Sequence, residues 1–242
     1  MLYLFNTFIY YPIVNILVLL YNTAAFGDFG VAIIMLTIIV RFGLAPMSHK
    51  MLCQQAIMQK IKPEMAEIQK KYKDNKEKQA VLLMECYKKH KINPFYTFLV
   101  LLIQLPILWA LFRVFTNGFN GQITQALYPF ISDPGVFNPI SLGIINLNER
   151  NILLIALVAI CQFIQIQLST PAIQKQKIDE PKTFMPSGNM MGIMLALLTT
   201  IVLWGLPAAV AVYWLITTLF SIGQQFICNK SIKNAELKNN NC

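Results

Sequence analysis

VAIIMLTIIVRFGLAP, residues Val31 to Pro46, is long enough for a helix and apolar enough for a lipid core, yet one guanidinium, Arg41, is set into it. An arginine at membrane depth costs roughly 2.5–3.5 kcal/mol even on lenient insertion scales, so such residues normally face a wet cavity inside a protein and mark a functional site. Read by itself, the segment also allows Arg41 to end the span and snorkel to the headgroups.

The chain around this stretch has the composition of a multi-spanning membrane protein. Its 242 residues are 56% hydrophobic and 13% charged, whereas a soluble domain carries about 25% charged residues. Apolar windows that approach the roughly 20 residues needed to cross a hydrocarbon core fall at Phe29–Pro46, Phe95–Phe115, Ile152–Leu168, Met190–Leu206 and Ala208–Cys228. No charged side chain occurs between Lys182 and Lys230. A single helix from Asn189 to Asn229 would be about 60 Å long, twice the core thickness. The run must therefore turn back, and Gly205-Leu206-Pro207 is the good place for it.

Basic residues are retained on the cytoplasmic side of membrane proteins. Of 20 here, 11 lie in Lys50–Lys91, three in Lys175–Lys182 and three in Lys230–Lys238. The segments Met1–Gly30 and Asn117–Glu149 hold Asp28, Asp133 and Glu149 and no basic residue. Five spans then run N-out and C-in, with a cytoplasmic tail over residues 229–242. Phe5–Tyr21 is apolar enough for a further span, but Asn6, Pro12, Asn15 and the aromatic FNTFIYYP sequence suit a helix in the outer interface. A cleavable signal peptide is not expected, because the charged n-region is missing. The paired prolines and glycines of Asn117–Glu149 predict an outer loop with a short surface helix.

Residues 49–93 are too charged to span and too periodic for a disordered loop. Ile57, Ile61, Met65, Ile68 and Tyr72 fall on one helical stripe, and Ala80, Leu83, Met84 and Tyr87 on a second. Lys73-Asp74-Asn75 predicts the turn between them, and Pro63 should end or kink the first helix. An antiparallel helical hairpin with inward apolar stripes follows. Its lysines suit anionic headgroups, ribosomal RNA or topology retention.

Thr37 sits one turn before Arg41 on the same face. Gln104 lies within the second span, and Gln162 and Gln165 share a face of the third. No span contains a carboxylate, so water, amides, hydroxyls and substrate remain as partners for Arg41. A single glutamine in such a place is more often helix-to-helix glue, worth about 0.6 kcal/mol. His49 and His90 show no partner at metal-ligand spacing, and no Gly-x-Ser-x-Gly, His-Glu-x-x-His or Walker-type loop occurs. Neither an enzyme nor a metal site is expected. The five cysteines, Cys53, Cys86, Cys161, Cys228 and Cys242, fall in cytoplasmic segments or spans, so no disulfide framework is indicated on the oxidising side.

Five segments in order carry a family resemblance: VAIIMLTIIVRFGLAP, KIKPEMAEIQKKYKDNKEKQ, INPFYTFLVLLIQLPILWALF, CQFIQIQLSTP and LPAAVAVYWLITTLFSIGQQF. The chain resembles the YidC-type membrane-protein insertases, over nearly its whole length. That resemblance implies an all-α protein of five transmembrane helices around a cytoplasm-facing hydrophilic groove, with an interfacial helix before the first span. It places Arg41 in the groove, and Tyr213-Trp214 and Gln224-Gln225 stand where the family has them. Pro207-Ala208-Ala209-Val210 departs from the family's Pro-Ala-Gly-Leu. Arg41, Thr37, Gln104, Gln162, Gln165, Tyr213 and Trp214 are the expected groove set. Expected partners are nascent membrane proteins and the lipid bilayer of a bacterial plasma membrane, together with a Sec-type translocon and a ribosome; no cofactor is needed. The competing expectation is a channel or secondary transporter with Arg41 as an anion site, although no internal repeat, half-helix pair or acidic relay supports it.

Overall fold

The computed structural model describes residues 2–93, 95–169 and 188–240; the basic segment Lys175–Lys182 lies outside them. The helices are α1 (Leu2–Phe5), α2 (Tyr11–Asn22), α3 (Phe29–Gly43), α4 (Ala45–Lys60), α5 (Lys62–Lys71), α6 (Lys76–Lys89), α7 (Phe95–Phe119), α8 (Ile152–Ser169), α9 (Gly188–Trp204) and α10 (Ala208–Asn240). A π-helical segment, Asn6–Tyr10, joins α1 to α2. Tyr3–Asn22, Ile152–Ser169 and Ala208–Ser231 are long and apolar enough to cross a membrane, as is the broken pair Phe29–Gly43 and Ala45–Met58 if it counts as one span. The protein is an all-α membrane protein. By length and composition the N-terminal helix can span as well as lie in an interface.

The chain divides into two compact units. The first comprises Met1–Ala45, Leu101–Gln162 and Ala196–Phe220. Val14, Leu17 and Val18 of α2 share a core with Ile33 and Leu36 of α3, Val114 and Phe115 of α7, Val158 of α8 and Val210 of α10. Without a hydrophobic drive between helices in lipid, close approach at small side chains does the work. Ala32, Ala110 and Ala209 are accordingly fully buried. Ile152, Leu153, Leu157 and Ile160 of α8 are exposed, which water would not tolerate as a contiguous face but a lipid tail would.

Asp28 begins α3. Its carboxylate accepts from Val31 N–H at 3.0 Å, as an N-cap should, and also accepts from Ser141 Oγ at 2.7 Å and Leu142 N–H at 2.6 Å. Ser141 belongs to a two-stranded antiparallel ribbon, β1 (Ile140–Ser141) and β2 (Ile145–Asn146). Its turn holds Leu142 and Gly143 at φ 51° and 71°, the left-handed region in which glycine is free of strain. The segment 117–149 thus contains a short 3-10 turn, Thr124–Ala126, and a ribbon. Its Phe137 ring stacks on Phe29 with centroids 4.2 Å apart. Asn15 is the polar exception in the α2 core: its amide donates to Ala126 O at 2.8 Å and its oxygen accepts from Tyr128 N–H at 2.6 Å.

The second unit comprises Pro46–Val100, Phe163–Leu195 and Ser221–Cys242. Helix α4 stops at Lys60 because Pro63 occupies the first turn of α5, the place where a missing N–H costs least. Helices α5 and α6 run antiparallel, with Gln79 Nε2 donating to Gln69 O at 2.9 Å near the turn and Lys89 Nζ reaching Glu64 Oε1 at 2.8 Å at the other end. Asn75 caps α6 by accepting from Lys78 N–H. Ile61, Cys86 and Ile92 form the core of this unit, with Ile57, Met65, Ile68 and Tyr87 against it. The α6 stripe differs from the one expected: Ala80 and Met84 are exposed, and Cys86 is buried. Cysteine packs as a small hydrophobe, so counting it as apolar rotates the inward face. Cys53 and Cys228 are joined by a disulfide, with Cα atoms 5.6 Å apart. Sequence spacing gave no sign of this pairing.

Candidate functional site

Arg41 lies in the last turn of α3 and has no ion-pair partner among the described residues. Its positive charge is within electrostatic range of the Tyr213 hydroxyl on α10. Tyr213 is buried, and its hydroxyl accepts from Gln104 Nε2 of α7 at 2.6 Å. Thr217, one turn further along α10 on the same helix face, is also buried. Helices α3, α7 and α10 of the first unit therefore bring a cation, an amide, a phenol and a hydroxyl into one neighbourhood.

The other expected residues are placed differently. Thr37 is 1% exposed and its hydroxyl donates to Ile33 O at 2.6 Å, so it serves its own helix. Trp214 is half-buried beside the core. Gln162 of α8 has a buried side-chain oxygen with no hydrogen-bond partner among the described residues. Gln165 belongs to the second unit and its carbonyl accepts from Ser169 Oγ at 2.9 Å. Sequence reading missed Thr217 and the buried Thr199 and Thr218. The four-residue step from Tyr213 to Thr217 was the available signal.

Each unit holds a further polar group. In the first unit Arg113 Nη1 donates to Asn6 Oδ1 at 3.1 Å and its guanidinium lies 4.6 Å from the Tyr10 ring centroid, beside a cavity of about 620 Å³. In the second unit Glu64 Oε2 and His90 Nε2 are 2.8 Å apart, and Cys86 joins them in a cluster whose ligand atoms lie within 4.8 Å of one another. Hydrogen bonds from Lys89 and His90 hold the Glu64 carboxyl below its ordinary value, whereas burial pushes the Cys86 thiol up. His90 thus has partners that the sequence reading did not find. Cys86-x-x-x-His90 was the sign, and Glu64 is too distant in sequence to have been paired with it.

A family model described as 60Kd inner membrane protein matches residues 20–236. The chain belongs to the 60Kd inner membrane protein family. Similar proteins include the Membrane protein insertase YidC of Wolinella succinogenes, 32% identical over 232 residues, 96% of this chain and 39% of the relative. Proteins of the same name from Pelobacter propionicus (31% over 209 residues, 86% of this chain, 36% of the relative) and Geobacter sulfurreducens (28% over 220 residues, 88% and 36%) are also similar. The chain therefore spans 36–39% of the length of these curated relatives. With its apolar helices, membership of the 60Kd inner membrane protein family makes it a bacterial multi-pass inner-membrane protein.

Proposed function

We propose that this protein inserts nascent membrane proteins into the lipid bilayer. The match over residues 20–236 to a family whose relatives are named membrane protein insertase carries the reading. The chain acts through five spans, residues 29–46, 95–115, 152–168, 190–206 and 208–228, with residues 5–21 in the outer interface, the N-terminus outside and the C-terminus inside. A wet groove open to the cytoplasm holds Arg41, Gln104, Gln162, Gln165, Tyr213 and Trp214, with Thr37 behind them. An apolar segment gains roughly 0.3–0.6 kcal/mol for each Leu, Ile, Phe or Val at mid-bilayer, so insertion is downhill and the barrier is the passage of polar flanks. A hydrated cation within the bundle shortens that dry path and attracts acidic flanks. The α5–α6 pair receives the substrate at the cytoplasmic mouth. No nucleotide is hydrolysed, and the chain works either alone or beside a Sec-type translocon and the ribosome. Family relatives give the transporter reading no support.

The test is site-specific crosslinking from Gln104, Gln165 and Trp214 to a stalled nascent membrane protein in inverted membrane vesicles. Adducts at these positions and weak ones at the outward-facing Leu153 are expected. Adducts at Leu153 alone would place the substrate outside any groove.

A further inference from the structure

We propose that Cys86, His90 and Glu64 bind one zinc ion and so clip helix α5 to helix α6. Cys86 and His90 stand one turn apart on α6 and project from the same face, while Glu64 faces them from the first turn of α5. One thiolate sulfur, one imidazole nitrogen and one carboxylate oxygen are all donors that zinc takes, and the soft sulfur selects against magnesium and calcium.

The present geometry is close to a binding one. With Zn–N near 2.0–2.1 Å and Zn–S near 2.3 Å, tetrahedral neighbours sit about 3.3–3.7 Å apart. The 2.8 Å contact between Glu64 Oε2 and His90 Nε2 then has to open by about half an ångström, and the Cys86 sulfur to close in from within 4.8 Å. Small χ rotations of that size stay within a rotamer well. Lys89 already bonds Glu64 Oε1, which leaves Oε2 for the metal and gives the carboxylate the outer hydrogen bond that ligating carboxylates usually have.

Burial and charge agree with this assignment. Cys86 is buried beside Ile61 and Ile92, whereas the His90 and Glu64 side chains are 31% and 38% exposed. An ion can enter from solvent, and water completes the tetrahedron. On binding, the Cys86 S–H bond breaks, its proton leaves to solvent and a Zn–S bond forms. One thiolate and one carboxylate offset the divalent charge, so the loaded site is itself neutral, and exchanging one proton for the ion raises the charge of the hairpin by only one.

The full chain in detergent, reduced and stripped with chelator, is titrated with cobalt(II) as a spectroscopic probe for zinc. One equivalent is expected to give a thiolate-to-cobalt charge-transfer band and intense visible bands of tetrahedral cobalt, both abolished by zinc. Cys86→Ser should lose the charge-transfer band, and His90→Gln should bind at least tenfold more weakly. Glu64→Gln, at a partly exposed position that cannot unfold the pair, should keep the band and bind more weakly. Cys161→Ser and the double variant Cys53→Ser/Cys228→Ser should behave as wild type. Zinc should also protect the α5–α6 pair from protease in wild type and not in Cys86→Ser. Absence of a thiolate band in wild type, or its survival in Cys86→Ser, would overturn the proposal, as would equal affinity in His90→Gln and Glu64→Gln to that of wild type.

Discussion

Tyr213 joins two helices through a single buried hydroxyl, accepting from Gln104 on α7 at 2.6 Å while Arg41 stands within its electrostatic range. Hydrogen bonds between membrane helices are worth about 0.6 kcal/mol on average and up to about 1.7. A double-mutant cycle of Gln104→Leu and Tyr213→Phe, read by denaturant unfolding in detergent, should return a coupling in that range. Additive losses would mean that the two side chains act independently. Asp28 makes a second residue-scale prediction. Burial raises its carboxyl, but hydrogen bonds from Leu142, Ser141 and Val31 outweigh that and hold it below the ordinary 3.8. A depressed carboxyl stabilises the fold above its unfolded value, and that contribution is lost as pH falls through the folded one. Asp28→Ala should cost about 0.5–2 kcal/mol as a lost helix cap at neutral pH, with the difference from wild type vanishing in strong acid. An undiminished gap below pH 3.8 would exclude the carboxylate as its source. Arg41 was legible because a charge in an apolar run is rare. The Thr37 partner was not, since a helical threonine can turn its hydroxyl back to its own helix as readily as toward a neighbour.

At the scale of elements, helix positions followed from apolar runs and charge blocks, and the break between α9 and α10 from the length of an uncharged run that one helix cannot use. The α6 face was less legible, because four candidate residues within eight positions fit two arcs of a helix and only packing chooses. That packing makes a prediction. Ile61 is 5% exposed, whereas Ala80 faces solvent. Ile61→Asp buries an unpaired carboxylate and should open the α5–α6 pair, while Ala80→Asp should leave it intact. Limited proteolysis of the loop in inverted vesicles separates the two, and equal sensitivity would contradict the observed face. The β1–β2 ribbon was illegible for a different reason: it consists of two-residue strands fixed by Asp28, more than a hundred residues away.

For the whole molecule, the family was legible from five motifs in order, and the all-α membrane class from composition alone. Which polar residues share a neighbourhood was only partly so, because spacing within one helix is fixed by geometry while the meeting of α3, α7 and α10 depends on packing that a single sequence does not encode in any local signal. Orientation rests on charge bias, and it predicts that a cysteine replacing Lys76 is labelled by a membrane-impermeant reagent only from the cytoplasmic side. Labelling from outside would invert the map.

The central claim is that Arg41 acts as a charge within a wet groove, drawing acidic flanks of varied substrates without a fixed clamp. A long-range attraction needs only a cation, whereas a bidentate clamp needs the planar guanidinium. The direct measurement is insertion of two reporter proteins that differ only in the acidity of their outer tails, in cells depleted of the native protein and supplied with Arg41→Lys or Arg41→Ala. The account predicts that Arg41→Lys keeps most activity for both reporters, and that Arg41→Ala loses the acidic-tailed reporter while retaining more of the neutral one. Equal loss of both reporters in Arg41→Ala, or failure of Arg41→Lys on the acidic tail, would contradict it.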